Sequence, residues 1–235
     1  MTAVDIGSYV RQLRHDGHTG AVEFGVPRMH YESQDTWSAT VTSCLDWRGE
    51  IHLSPLDARG NAPNVIAGYV DFLVLRLGEQ PVADVLHLYG PVAAAFAELF
   101  DDAWLADGLD EDDEFTGGMP IGTVLLILHA ELDAALQHHD RLRPWAVAEV
   151  AYAMLPTTTG VVAMHTLPAI SPKERHRGLF AADRVDPHWP QVGCTCIPGR
   201  PRFAGRATAY RYLEDARAAL SVIRQETFRV SVDLD

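Results

Sequence analysis

Three features of the sequence predict an α/β fold. A strand-like run, a polar turn, an apolar helix and a second strand follow one another between Thr123 and Leu167. Strand-type segments precede that unit, and stretches of helical periodicity recur between strands.

Each element has its own local signal. Thr36–Leu45 alternates in strand fashion, Asp46-Trp-Arg-Gly49 reads as a hairpin-like turn, and Glu50-Ile-His-Leu53 returns as a second strand. Turn residues make Ser54–Asn64 a loop ahead of a long strand over Val65–Leu77. From Pro81 to Phe100, Val82, Val85, Leu86, Tyr89, Phe96 and Leu99 recur near helical spacing, and Gly90-Pro91 should kink or split that helix. The run Thr123–Leu132 is β-rich. Pro144–Leu155 opens with the proline favoured in a first helical turn, and Thr157–Gly160 breaks it before a strand at Val161–Met164. Ser171-Pro-Lys-Glu174 has capping-box spacing and starts a basic helical stretch through Arg177. Strands around Gly193–Ile197 and over Ala207–Leu213 are expected to close the sheet, followed by a helix over Glu214–Gln225 and a last strand over Phe228–Leu234. No repeat or linker divides the chain. A single domain over 1–235 is expected, with an elaborated N-terminal hairpin region at about 1–64.

At 235 residues the chain can bury a substantial core. No segment has the apolar length of a membrane span, and the N-terminus lacks the basic start and apolar block of a signal peptide, so a cytoplasmic protein is expected. A net charge of −13 argues against nonspecific nucleic-acid binding, which needs Lys and Arg to neutralise phosphates. Eight carboxylates lie in Asp101–Glu114, readable as an electrostatic funnel for a cationic amine or as a solvated, mobile loop. Three cysteines, Cys44, Cys194 and Cys196, offer no disulfide framework. Cys194 and Cys196 would share a strand face, yet a second pair for zinc is missing, and buried unpaired thiols are expected.

The polar turn Gln137-His-His-Asp-Arg-Leu-Arg143 stands between the strand at Thr123–Leu132 and the following helix. A helix N-terminus facing a strand end presents free N–H groups and a positive dipole, which suits an anion. His138-His139-Asp140 offers metal-ligand types, but adjacent residues rarely converge on one ion, and no metal site is expected.

The order Val124–Leu132, Gln137 and its turn, a helix, then Gly160-Val-Val-Ala-Met-His-Thr-Leu-Pro168 resembles the acetyl-CoA-binding core of the GNAT superfamily of N-acetyltransferases. Downstream, His188-Trp-Pro-Gln-Val-Gly-Cys194 looks like that family's segment where a helix hands over to a late strand. The resemblance spans roughly 66–197. It implies a mixed, mostly antiparallel central sheet flanked by helices, an acetyl-CoA or other acyl-CoA cofactor, and a small amine as substrate. A homodimer stays open, and neither nucleic acid nor membrane is an expected partner. The family's Q/R-x-x-G-x-G/A motif is matched only by Gln137, since its glycine positions hold Asp140 and Leu142. Glycines let a backbone approach a pyrophosphate closely, whereas a carboxylate at Asp140 caps the helix and repels phosphates. Gln137 with the side chains of His138, His139, Arg141 and Arg143 would then hold the phosphates. A second expectation follows from the same departure: a non-catalytic or repurposed member, either a binding module or a catalyst of thioester chemistry without conventional acetyl transfer.

Acetyl transfer to an amine needs a held thioester, a base and donors for the developing oxyanion. Odd-numbered residues of a regular Thr123–Leu132 strand share a face, so His129 and Glu131 point the same way. The family's base often comes from this strand, making Glu131 the first candidate and His129 the second, against the plainer readings of a solvated strand end and a structural histidine. The resemblance assigns backbone N–H groups near Ala130 and Leu132 to the thioester carbonyl and pantetheine arm. By register Trp189 occupies the place of the family's tyrosine acid, and an indole cannot protonate a thiolate. That role falls to His188 or water.

Overall fold

The computed structural model describes residues 3–34, 40–56, 63–110, 113–156, 158–166, 188–209 and 211–233. A short strand β1 (Val4–Asp5) leads into helix α1 (Ile6–His15), which Asp5 caps by accepting from the Ser8 N–H at 2.7 Å. Three long strands follow: β2 (Ala21–Ser33), β3 (Cys44–Pro55) and β4 (Val65–Arg76). The helical stretch after them is split at Gly90-Pro91, as the sequence predicts, into α2 (Val82–Leu88), α3 (Pro91–Ala94) and a 3₁₀ turn over Ala95–Leu99. Gly90 takes φ 91°, a value that favours glycine at this break. The acidic segment folds into β5 (Phe100–Asp101), β6 (Trp104–Leu105), α4 (Asp107–Asp110) and α5 (Asp113–Thr116), anchored by buried Leu105, Leu109 and Phe115. Its carboxylates mask those apolar anchors in the sequence, so the expected solvated loop is a correction. Next come β7 (Thr123–Leu132), α6 (Leu142–Met154), β8 (Gly160–His165), β9 (Thr195–Ile197), β10 (Arg200–Ala207), α7 (Tyr212–Leu220) and β11 (Phe228–Ser231).

Among the described residues one mixed sheet runs β11-β2-β3-β4-β7-β8-β10-β9, with β1 paired to β4. Only β1 with β4 and β7 with β8 are parallel, and every other pairing is antiparallel. The centre is covered on both faces, which is why β4 is apolar at both parities. Val70, Phe72, Leu125, Ile127 and Val162 meet α1 and α6 on one face, while Leu73, Leu75, Leu126, Ala163 and Phe203 meet α2 to α5 on the other. Helix α6 buries Leu142, Trp145, Val147 and Val150 around most of its girth, because α7 covers the side turned away from the sheet. Glu149 joins the two helices, accepting from Arg217 at 3.1 and 3.2 Å and from Arg224 at 3.0 Å. No helix among the described residues is long and apolar enough to cross a membrane.

Four sequence expectations need correction. Asp46–Gly49 is not a turn but lies inside β3, with all four residues paired to β4 and Trp47 to Gly49 also paired to β2. Gly49 serves close packing there, since a Cβ on it would stand 2.9 Å from the Met29 methyl. The strand expected from Thr36 begins only at Cys44, with residues 35–39 outside the described ones. Ala207–Leu213 does not close the sheet; Arg200–Ala207 does, and Leu213 packs against the core from α7. Finally, Cys194 precedes β9 and is buried while Cys196 is exposed, so the two do not share a face. The stretch from Ser171 to Arg177 lies outside the described residues.

Candidate functional site

Strands β7 and β8 run side by side from Thr123 opposite Gly160 to Ile127 opposite Met164, and then part. At the parting point β7 carries a bulge. Phe72 of β4 faces Ile127 and Asp71 faces His129, so Leu128 is the additional residue. The bulge reverses the strand's parity. Leu125 and Ile127 face α6, and beyond the bulge Ala130 and Leu132 do so. His129 and Glu131 still share a face, but it is the opposite one, where Leu128 packs. A single odd-numbered face along all of Thr123–Leu132 is therefore corrected. From His129 to Leu132, β7 is held by β4 alone, and its other edge has no strand partner among the described residues.

A cleft of about 400 Å³ fills the space between the parted strands. One wall is Ile127–Leu132; the other is Met164, His165, His188 and Trp189. Its end is closed by Gln137, His139, Asp140 and Arg143, at the start of α6. The structure thus gathers Glu131, His129, Ala130, Leu132, Gln137, His139 and Arg143 of the sequence-derived set. His138 and Arg141 are not in it. His138 lines a separate hollow, and the exposed Arg141 guanidinium lies 4.0 Å from the Glu226 carboxylate.

The hydrogen bonds around the cleft set its chemistry. The Tyr69 hydroxyl donates to Glu131 Oε2 at 3.0 Å, fixing that carboxylate at the rim. Burial, then the Glu131 bond, pushes the Tyr69 phenol up to about 12, so it stays a donor. Arg48 stacks 4.2 Å from the Tyr69 ring centroid, while its Nε and Nη2 donate to Asp71 at 2.7 and 2.9 Å. Deeper in, His165 packs against Phe96 and Phe203 with centroids 4.3 and 5.0 Å away. Burial lowers its pKa, leaving a neutral imidazole at pH 7. His139 is lowered by burial and then by His138, so it is not the cation the sequence offers. Trp189 is buried and its indole N–H donates to the His165 carbonyl at 2.9 Å, a packing role.

Two residues of this site escape sequence reasoning. Tyr69 lies in an expected strand, but only the β4–β7 register sets it opposite Glu131. His165 immediately follows the expected Val161–Met164 strand, and that position beside the anion turn was the available signal. No family model, curated protein or solved structure matches this chain.

Proposed function

We propose that the chain is an acyl-coenzyme A-dependent N-acyltransferase of GNAT-like fold acting on a small amine. One observation carries this reading: two parallel strands part at a bulge in front of a helix start, opening a cleft lined by the edge of β7 that has no strand partner among the described residues. Apolar Ile127, Leu132 and Met164, beside a strand edge with no strand partner among the described residues, suit an extended amide-bearing arm. The turn suits phosphates poorly, because Asp140 stands where a glycine would admit them.

When bound, an acyl-coenzyme A supplies a thioester carbonyl open to attack by a neutral amine. Backbone N–H groups near Ala130 and Leu132 would hold that carbonyl's oxygen. Glu131, oriented by the Tyr69 hydroxyl, takes the amine proton at its carboxylate. His129, one alternate position back on the same face, is the second acceptor in reach. His188 on the facing wall, or water, would supply the proton that the departing thiolate needs.

A binding or repurposed protein is the second reading, favoured by Asp140 at the cleft end and by Trp189 in place of a proton donor. Titration calorimetry with acetyl-CoA, followed by thiol release in the presence of primary amines, separates the two. The first reading expects binding and amine-dependent thiol release. Binding without release supports the second, and no heat or thermal shift at saturating acetyl-CoA refutes the first.

A further inference from the structure

Among the described residues, the cleft offers no favourable place for the phosphorylated end of the carrier it is suited to hold. Among the described residues its ionic lining is two carboxylates, Asp140 and Glu131, against one guanidinium, Arg143. That balance repels several phosphate charges, and about 400 Å³ fits an arm rather than a whole acyl-coenzyme A. Immediately across the turn, the balance is inverted. A second hollow of about 920 Å³ lies between α1, β11 and residues Asp133–His138, and among the described residues it is lined by Arg11, Arg14, Arg229 and His138 against one carboxylate, Asp133. This is a concentration of cations in a chain of net charge −13.

The wall of this hollow is ordered by its own bonds. Arg14 Nε donates to the Val232 carbonyl at 3.0 Å, Arg11 donates to the Ser8 hydroxyl at 2.8 Å, and Asp133 is engaged in accepting from the Ala135 N–H at 3.0 Å. Asp5 near Arg11 and Glu23 opposite Arg229 in register do not line it. The adjacent rings of His138 and His139, tilted 40° to each other, stand between hollow and cleft. His138 faces the first, His139 faces the second, and their centroids are 4.1 Å apart.

We propose that this hollow binds the phosphorylated nucleotide end of coenzyme A, reached across the His138–His139 ridge from the arm lying in the cleft. The proposal rests on the acyl-transfer reading above. It also explains how the chain manages without the motif glycines: guanidinium groups brought from α1 and β11 replace the backbone N–H groups of a glycine-rich turn.

The test titrates the full chain with coenzyme A, with dephospho-coenzyme A and with adenosine 3′,5′-bisphosphate, comparing wild type with the double variant Arg11→Glu, Arg229→Glu. Wild type is expected to bind coenzyme A at least about ten-fold tighter than its dephospho form, and the double variant to lose that preference and the bisphosphate. Arg76→Glu with Arg211→Glu, an equal charge change at exposed arginines outside both cavities, should keep it. Coenzyme A binding with no preference for the 3′-phosphate, or a preference that survives in the double variant, overturns the hollow and leaves the acyl-transfer reading standing. Bisphosphate binding that the double variant loses, without any coenzyme A binding, overturns acyl transfer and keeps the hollow. Absence of binding by all three ligands overturns both.

Discussion

Gly68 of β4 faces Leu132 at the end of its register with β7. A Cβ added there runs into the Glu131 carbonyl oxygen and stands 2.9 Å from the Leu132 Cα, where ordinary contact begins near 3.4 Å. Both obstacles are backbone, so neither can swing aside. Gly68→Ala must therefore displace Leu132 by about 0.5 Å and Glu131 by more. Overpacking of this kind costs about 1–3 kcal/mol, which for a domain of this size lowers Tm by roughly 2–12 °C. Catalysis should suffer beyond that, because a misplacement of about 1 Å can cost ~10²-fold, and about ten-fold or more in kcat/KM is expected here. Circular-dichroism melting and amine acetylation measured well below Tm read the two effects separately. Gly108→Ala, whose Cβ would meet nothing within 4 Å, should match wild type in both. Wild-type melting and wild-type kcat/KM for Gly68→Ala would refute the β4–β7 register and the position it gives Glu131.

Three further outcomes are expected. Glu131→Gln should lower kcat/KM at neutral pH by about 10²-fold, a loss that shrinks as pH approaches the substrate amine's pKa, with a smaller effect from His129→Asn; wild-type profiles for both would remove this face from the chemistry. Asp140→Gly should tighten coenzyme A binding by removing a repelling carboxylate, Arg143→Ala should weaken it about ten-fold, and Arg141→Ala, beside Glu226, should leave it unchanged in calorimetry. His139 and His165 have lowered pKa values in the fold, so as pH falls below the ordinary 6.5 the unfolded chain binds their protons first and stability drops. The slope from each is at most about 1.4 kcal/mol per pH unit, and urea midpoints for His165→Asn should fall less steeply than wild type between pH 7 and 5. An identical slope would show that His165 is not held neutral.

What could be read from the sequence follows from how local the signal is. The bounds of β7 were legible because an apolar run is closed by polar residues at both ends, and α2 and α3 split where Gly90-Pro91 demanded it. Strand β2 was not legible, because Gly25 and Pro27 read as breakers. They mark a bulge between Gly25 and Arg28 inside a continuous strand, where Val26 takes φ 52°. The bulge at Leu128 was hidden for a different reason: it exists only relative to β4, and no property of the β7 sequence announces it. Hence the pairing of His129 with Glu131 was legible while the face they occupy was not. Tyr69 and the Arg11, Arg14 and Arg229 hollow come together through long-range register and packing, which local periodicity does not encode.

Amide hydrogen exchange with and without saturating acetyl-CoA tests the central claim most directly, because it reports binding and location together. The cleft reading predicts slowed exchange over residues 129–132 of β7 and over the turn and first residues of α6, 137–143, with α4 unchanged. Unaltered exchange at both segments, at a ligand concentration that saturates any measured heat, would contradict it.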